Sequence, residues 1–429
     1  MGQKGFNMSQ IKLIPTHLNG TVAIPPSKSM AHRAIICAAL AKGKSRIDHI
    51  EYSQDILATM EAMKALGAHI EAYEDYLLID GTSTGTSRQC EIDCKESGST
   101  LRFMVPVSLI HENHVRFIGE GNLGKRPLNV FYDIFDEQGI TYQYQKETLD
   151  LKIQGQLKAG EFKVPGNVSS QFISGLLFAL PLLEGDSKII ITSSLESIGY
   201  IDLTLQMLET FGIRVINHHY QEFHIAGRQR YQAHDYYVEA DYSQAAFYLV
   251  AGALGNSVAL KGLNLDSLQG DKEALDILER MGAKVTQAND LIMVEAKSLK
   301  ATTIDGSQCP DVIPVLALAA SLAEGTTKIE HAERLRIKEC DRLAAVASEL
   351  SKLGAKMTET KDGLIIEGVS QLQGGQVSAW ADHRIAMTLA IASTCAQTDI
   401  IIDNKECVKK SYPSFWQDFK QLGGMTNEC

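Results

Sequence analysis

The chain has no surplus of basic residues: 41 Lys and Arg stand against 52 Asp and Glu, a net charge of −11. A nucleic-acid binder would show the opposite balance, so any anionic substrate must be held by Lys and Arg concentrated locally. There is no CxxC pair among the eight cysteines. Cys90 and Cys94 are the closest, and no second pair of Cys or His follows at zinc spacing. Thiols used as small core residues in a reduced, cytoplasmic protein are the expectation, with no metal. No apolar run is long: the longest, Ile313 to Ala323, is too short to span a bilayer. Met1 to Gln10 lack the basic-then-apolar layout of a signal peptide. Myristoylation after Met1-Gly2 would want Ser or Thr at position 6, which is Phe6. A soluble protein with neither a membrane nor a nucleic acid as partner is expected. Apolar residues are plentiful, 45% of 429. Single cores rarely grow past about 250–300 residues, so two domains are expected.

The stretch Pro25-Pro26-Ser27-Lys28-Ser29-Met30-Ala31-His32-Arg33 ends an extended segment and opens an apolar helix, Met30 to about Lys42. Ser29 is placed to cap that helix, and Arg33, four residues on, shares its face. Helix starts favour anions through their free amides and dipole. With Lys28 and Arg33 added, this one reads as a phosphate or carboxylate pocket.

The pattern recurs. Apolar helices with polar starts follow at Ser99, Ser170, Ser243, Asp311 and Asp382, each 68 to 73 residues after the last. A second helix per repeat ends at a glycine followed by a strand: Gly67, Gly139, Gly212, Gly282, Gly354 and Gly423. The period exceeds that of familiar solenoids, so each repeat is a small α/β subdomain. Six repeats divide most simply into three and three, with a boundary near Ala233-His234-Asp235. The strand from Gln10 to Pro15 precedes the first helix start and could serve either domain. The expected domains are 21–234 and a discontinuous 1–20 plus 235–429. If each domain packs its repeats around its own axis, three polar helix starts gather at one end. Two such ends facing each other would form an anion-lined cleft.

Gly119-Glu120-Gly121-Asn122-Leu123-Gly124 fits GxGxxG after a strand. A dinucleotide fingerprint should open a helix directly. Here Lys125-Arg126-Pro127 intervenes, and Pro127 is expected at the first helical position. Arg126 is the more interesting residue, its plain alternative being an exposed arginine. Asp311 is read as the cap of Val312 to Ala323, and among Lys and Arg it could equally be a base for a hydroxyl. Arg334 to Arg342 carries four basic residues in nine, too dense for a core and otherwise a solvated, salt-bridged face. Asp382-His383-Arg384 and Lys409-Lys410 again put cations at helix starts.

Taken in order, these segments resemble the enolpyruvyl transferase family, within it the 5-enolpyruvylshikimate-3-phosphate synthases, over essentially the whole chain. The motifs are SerLysSer-x-x-x-Arg (27–33), SerGlySerThrLeuArg (97–102), LysArgPro (125–127), SerSerGlnPhe (169–172), ArgIleLysGlu-x-AspArg (336–342) and AspHisArg-x-AlaMet (382–387). The resemblance implies an α/β fold of two domains, each of three βαβαββ units forming an inside-out barrel, with helix N-termini facing an interdomain cleft. It implies transfer of the enolpyruvyl group of phosphoenolpyruvate to the 5-hydroxyl of shikimate 3-phosphate by a monomer, with no cofactor. It further implies shikimate 3-phosphate held by Lys28, Ser29, Arg33, Ser169, Ser170, Gln171, Ser197, Asp311 and Lys338. Phosphoenolpyruvate would meet Lys28, Gly98, Arg126, Gln171, Arg342, Arg384 and Lys410. Asp311 would take the hydroxyl proton, while Glu339, together with Lys28, serves the methylene carbon. Departures from the family pattern are Glu96-Ser97 for Asn-Ala, Arg334 for Asn, and Ile198-Gly199 for Lys-Pro. The alternatives are the sister transferase acting on UDP-N-acetylglucosamine, whose loop cysteine is absent from Gly119 to Arg126, and a non-catalytic anion-binding scaffold.

Overall fold

The computed structural model describes residues 9–85, 89–145 and 148–428; positions 1–8, read above for targeting signals, lie outside the described residues. Each of six repeats contributes two helices. In chain order these are α1 (Lys28–Leu40) and α2 (Gln54–Ala65), α3 (Gly98–Ser108) and α4 (Asn129–Gln138), α5 (Ser170–Ala179) and α6 (Ile198–Thr210), α7 (Tyr242–Ala253) and α8 (Glu273–Arg280), α9 (Ile313–Ser321) and α10 (Arg342–Lys352), and α11 (His383–Ala392) and α12 (Phe415–Gln421). The odd-numbered helices are apolar on nearly every side because they are enclosed on nearly every side: all twelve residues of α7 and all nine of α9 are buried. The even-numbered ones bury one stripe, as α8 does with Ala274, Leu275, Ile277 and Leu278. Each even helix is followed by its glycine at positive φ, from 69° at Gly139 to 106° at Gly67. A left-handed residue after the helix end turns the chain back into a strand, and glycine adopts it without a Cβ penalty.

Every repeat owns a four-stranded sheet with one parallel and two antiparallel pairings. In the second, Gln89–Asp93 runs parallel to Asn113–Ile118, which pairs antiparallel with Asp150–Gly155 and through it with Thr141–Gln145. The chain order there, as in the third and fifth repeats, is βαβαββ as expected, whereas the first, fourth and sixth sheets each take one strand from elsewhere in the chain. The Gln10–Pro15 segment forms a strand, Ile11–Ile14, between Ile400–Ile402 and Met425–Glu428 of the last repeat.

The chain folds as two compact units, each with its own hydrophobic core. The N-domain is Pro26–Glu239 with Leu268–Gly270, and the C-domain is the remainder. The crossings fall at 25/26 and 239/240 rather than 20/21 and 234/235. Asn19–Ala23 pairs in parallel with Ser257–Lys261, which keeps it in the C-domain. Tyr236–Tyr237 pairs in parallel with Lys44–Asp48, which keeps it in the N-domain.

The helix starts need one correction. The residues that accept first-turn amides are Ser27, Ser97, Ser169, Asp241 and Asp382. Ser29, Ser99, Ser170 and Ser243 lie one or two residues inside, so their hydroxyls are available for other partners. Asp311 is not at the cap position: α9 begins after Val312, whose side chain makes no capping bond. Pro127 likewise precedes its helix, which starts at Asn129.

His32, in α1, shows what this packing does to a titratable group. Its Nδ1 hydrogen-bonds to Thr59 Oγ1 at 2.8 Å, in a buried chain that continues through Thr100 to Ser97. Burial, reinforced by Lys28 and Arg33 against Asp55, pushes its pKa from 6.5 down to about 3. The unfolded chain therefore binds a proton that the folded chain refuses, and stability falls as pH drops from 6.5 towards 3. His32→Gln should flatten the loss of unfolding free energy between pH 7 and pH 5 by about 2 kcal/mol, read from urea denaturation at the two pH values. An unchanged slope would mean that His32 is protonated in the fold.

Candidate active site

In the N-domain the polar helix starts gather basic and amide groups. Lys28, in the first turn of α1, pairs with Asp55 of α2 at 2.7 Å. Gly98 opens α3 where space is short: a Cβ there would lie 2.7 Å from Arg126 Nη1, 3.1 Å from Arg102 Nη1 and 3.7 Å from Gln171 Oε1. Arg102 donates to Gln171 Oε1 at 2.8 Å, and Gln171 donates in turn to Ser99 Oγ at 2.9 Å. Gly98, Arg126, Gln171 and Arg102 therefore converge at one helix start.

Other expected residues are placed differently. Arg33 is 2% exposed. Its guanidinium donates to Thr204 Oγ1 and to the carbonyls of Ser29 and Tyr200, bracing α1 against α6. Burial lowers its pKa from 12.5 to about 10, leaving it charged at neutral pH. Ser197 is fully buried in a left-handed conformation, with φ 55°. Ser169 caps α5, and Ser170 is its first residue. The Gly119–Gly124 loop ends in a 3₁₀ turn at Leu123–Lys125 rather than a helix start, which removes the dinucleotide reading. A Cβ on Gly121 would fall 1.7 Å from Glu96 Oε1, so the Glu96 carboxylate sits against the loop that leads to Arg126.

The C-domain holds an alternating array of charges. Asp311 Oδ1 lies 3.4 Å from Lys338 Nζ and 2.9 Å from Arg342 Nη1, and Asp311 Oδ2 lies 3.8 Å from Arg384. Glu339 joins Arg342 Nη2 at 2.8 Å to Lys410 Nζ at 3.3 Å. Arg342, 2% exposed at its side chain, also donates from Nε to Asp382 at 2.8 Å. Its planar fork thus serves three carboxylates, an arrangement a lysine could not reproduce. Arg384 donates to the carbonyl and hydroxyl of Ser243, both at 2.7 Å. Burial alone would raise the Asp311 pKa, but Lys338, Arg384 and Arg342 outweigh it and hold the carboxyl well below its usual range. Burial lowers Lys338, with Arg342 and Arg334 adding to the effect and Asp311 opposing it. Six expected residues, Asp311, Lys338, Glu339, Arg342, Arg384 and Lys410, are brought together here.

Asp55, Arg102, Ser243 and Asp382 belong to these clusters and were not singled out as site residues from the sequence. Arg102 and Asp382 lay inside quoted motifs. Asp55 is an acid in the first turn of α2, a signal shared with ordinary helix starts. Among the described residues, no group of three or more His, Cys, Asp or Glu is arranged to hold a metal ion, and no helix is long and apolar enough to cross a membrane.

Known proteins resemble the chain over nearly its whole length. Residues 13–419 match the family model of EPSP synthase (3-phosphoshikimate 1-carboxyvinyltransferase). The 3-phosphoshikimate 1-carboxyvinyltransferase of Clostridium beijerinckii is 59% identical, covering 98% of this chain and 99% of its own. The protein of that name from Clostridioides difficile is 56% identical over the same shares. The solved EPSP synthase of Acinetobacter baumannii superposes with a TM-score of 0.80 at 26% identity, covering 98% of this chain and all of its own. The enolpyruvyl transferase NikO of Streptomyces tendae, at 18% identity, shares the fold with a TM-score of 0.80, covering 98% of this chain and 99% of its own. This chain belongs to the EPSP synthase (3-phosphoshikimate 1-carboxyvinyltransferase) family.

Proposed function

We propose that the chain transfers the enolpyruvyl group of phosphoenolpyruvate to the 5-hydroxyl of shikimate 3-phosphate and releases inorganic phosphate. The observation that carries this reading is the alternating Lys338–Asp311–Arg342–Glu339–Lys410 array in a chain of this family. Both substrates are multiply anionic, so cations must offset their mutual repulsion in a site of low dielectric. Lys28, Ser29, Arg33, Ser169, Ser170, Gln171, Ser197, Asp311 and Lys338 are assigned to shikimate 3-phosphate. Arg33 and Ser197 contribute mainly by shaping the helix starts. Lys28, Gly98, Arg126, Gln171, Arg342, Arg384 and Lys410 are assigned to phosphoenolpyruvate, whose phosphate and carboxylate compete with protein carboxylates for the arginine donors.

Addition requires a proton on the methylene carbon and the loss of one from the 5-hydroxyl as the new C–O bond forms. Elimination then removes a proton from the methyl group and breaks the bond to phosphate, restoring the double bond. Glu339, together with Lys28, serves the carbon, and Asp311 serves the hydroxyl. The cations that keep Asp311 ionised also weaken it as a base. That is sufficient here, because a hydroxyl attacking a cationic carbon becomes strongly acidic as the bond forms. The free thiols of the described cysteines fit a reducing, cytoplasmic compartment, and the chain is taken to work as a monomer.

The test is phosphate release from phosphoenolpyruvate, with shikimate 3-phosphate or UDP-N-acetylglucosamine as acceptor. Release with shikimate 3-phosphate alone is expected, and release with the sugar nucleotide alone would transfer the chain to the sister activity. Asp311→Ala should keep substrate binding largely intact and lose about 10²–10⁴-fold in kcat; wild-type turnover would remove Asp311 from the mechanism. Glyphosate should inhibit competitively with phosphoenolpyruvate, whereas insensitivity at millimolar inhibitor would refute that. In Gly98→Ala the new methyl displaces the Arg126 guanidinium, so KM for phosphoenolpyruvate and the glyphosate Ki should both rise. Unchanged values would show that the Gly98 start lies apart from that pocket.

A further inference from the structure

We propose that Glu349 is a positioning residue for the phosphoenolpyruvate arginines, acting through the turn at Ser378–Asp382; this rests on the reading of Arg342 and Arg384 given above. Glu349 lies on α10, seven residues and about two turns beyond Arg342, so both project from one side of the helix. Its carboxylate is 1% exposed although it is remote from the Asp311 array. Oε1 accepts from the Trp380 indole at 2.8 Å, and Oε2 accepts from the Ser378 amide at 2.8 Å. Lys352 pairs with both oxygens, at 2.9 and 2.8 Å. The same turn is held from the other side by Asp403, which accepts from the Ala379 amide at 2.7 Å and the Ser378 hydroxyl at 3.2 Å.

These anchors hold a costly backbone. Trp380 and Ala381 both sit at φ 52°, two consecutive non-glycine residues in a region that L-residues avoid because Cβ crowds the carbonyl. Such a conformation persists only where its surroundings over-determine it. The turn delivers Asp382, whose amide donates to Ala379 O at 2.9 Å. The Asp382 carboxylate is fully buried and accepts from the Arg384 amide at 2.8 Å. It also accepts from Arg342 Nε at 2.8 Å and Nη2 at 3.3 Å. One carboxylate therefore orients one arginine and caps the helix that carries the other. Releasing Glu349 frees the strained turn, and Asp382 loses the backbone position that aims both.

The full-length chain is tested as Glu349→Ala, Glu349→Gln and Trp380→Phe, with KM measured separately for the two substrates. The expected result is a rise of about tenfold in KM for phosphoenolpyruvate in Glu349→Ala, with KM for shikimate 3-phosphate moving less than about twofold. Glu349→Gln, which keeps an acceptor for the indole or the amide, should recover most of the loss. Trp380→Phe, which removes one donor and leaves Glu349 in place, should raise the same KM by a smaller factor, and it carries the test if Glu349→Ala does not fold. Equal movement of both KM values, or a lowered Tm with unchanged kinetics, would overturn the proposal. Calorimetric titration with inorganic phosphate separates this from the functional reading. If the unaltered chain turned over neither acceptor, that reading would fall, and phosphate binding would judge the turn by itself. Weaker phosphate binding in Glu349→Ala supports the proposal, and unchanged binding overturns it.

Discussion

The structure depends on keeping guanidinium groups charged where little water reaches them. Arg342 is the extreme case: it is almost wholly buried, and its donors are divided among Asp311, Glu339 and Asp382. An isolated charge in such a place would be prohibitive. Three carboxylates compensate the burial, and two of them are the groups assigned to proton transfer. On that assignment, the ionic array proposed to bind anions also holds the groups proposed to move protons. In the proposed site, a substrate carboxylate or phosphate would share these donors with the protein carboxylates, so a chain of net charge −11 would hold its anions by cations concentrated locally.

Much of the scaffold was legible because its signals are local. The repeat period, the apolar helices and the six chain-reversing glycines each depend on residues within a few positions of one another. The helix starts were legible to within two residues. In Ser27-Lys28-Ser29 either serine can cap, and propensity does not decide between them; the extended conformation of Ser27, with its hydroxyl accepting from the Met30 amide, does. That displacement has consequences, because Ser99 and Ser243 are then available to receive Gln171 and Arg384.

What was not legible lies in pairings across long stretches of sequence. Asp55 meets Lys28 over 27 residues and Asp382 meets Arg342 over 40, and neither spacing follows from helical or strand periodicity. Asp311 looked like a cap because an acid before an apolar helix usually is one. Lys338, Arg342 and Arg384 claim it instead, and α9 starts without a side-chain cap. The crossing points between domains were displaced for the same reason, since Asn19–Ala23 finds its partner in Ser257–Lys261, more than two hundred residues away.

The three helix starts of each domain divide the chemistry between them. In the N-domain the caps are Ser27, Ser97 and Ser169, neutral groups that satisfy an amide and leave the positive end of the dipole intact. Anions are favoured there, with Lys28, Arg102 and Arg126 adding charge. In the C-domain the corresponding places are held by Asp241, Asp311 and Asp382. A carboxylate at a helix start opposes the dipole that would attract an anion, so in the proposed site attraction falls to Arg342, Arg384, Lys338 and Lys410, which pair with the acids of this domain. Of the three, Asp241 and Asp382 accept first-turn amides, and Asp382 also accepts from Arg342 of another repeat. Asp311 lies one residue before the cap position and is the partly exposed member, at 23%. Asp311 instead stands ionised among Lys338, Arg342 and Arg384, a setting that suits the proposed role of accepting a proton from a bound hydroxyl.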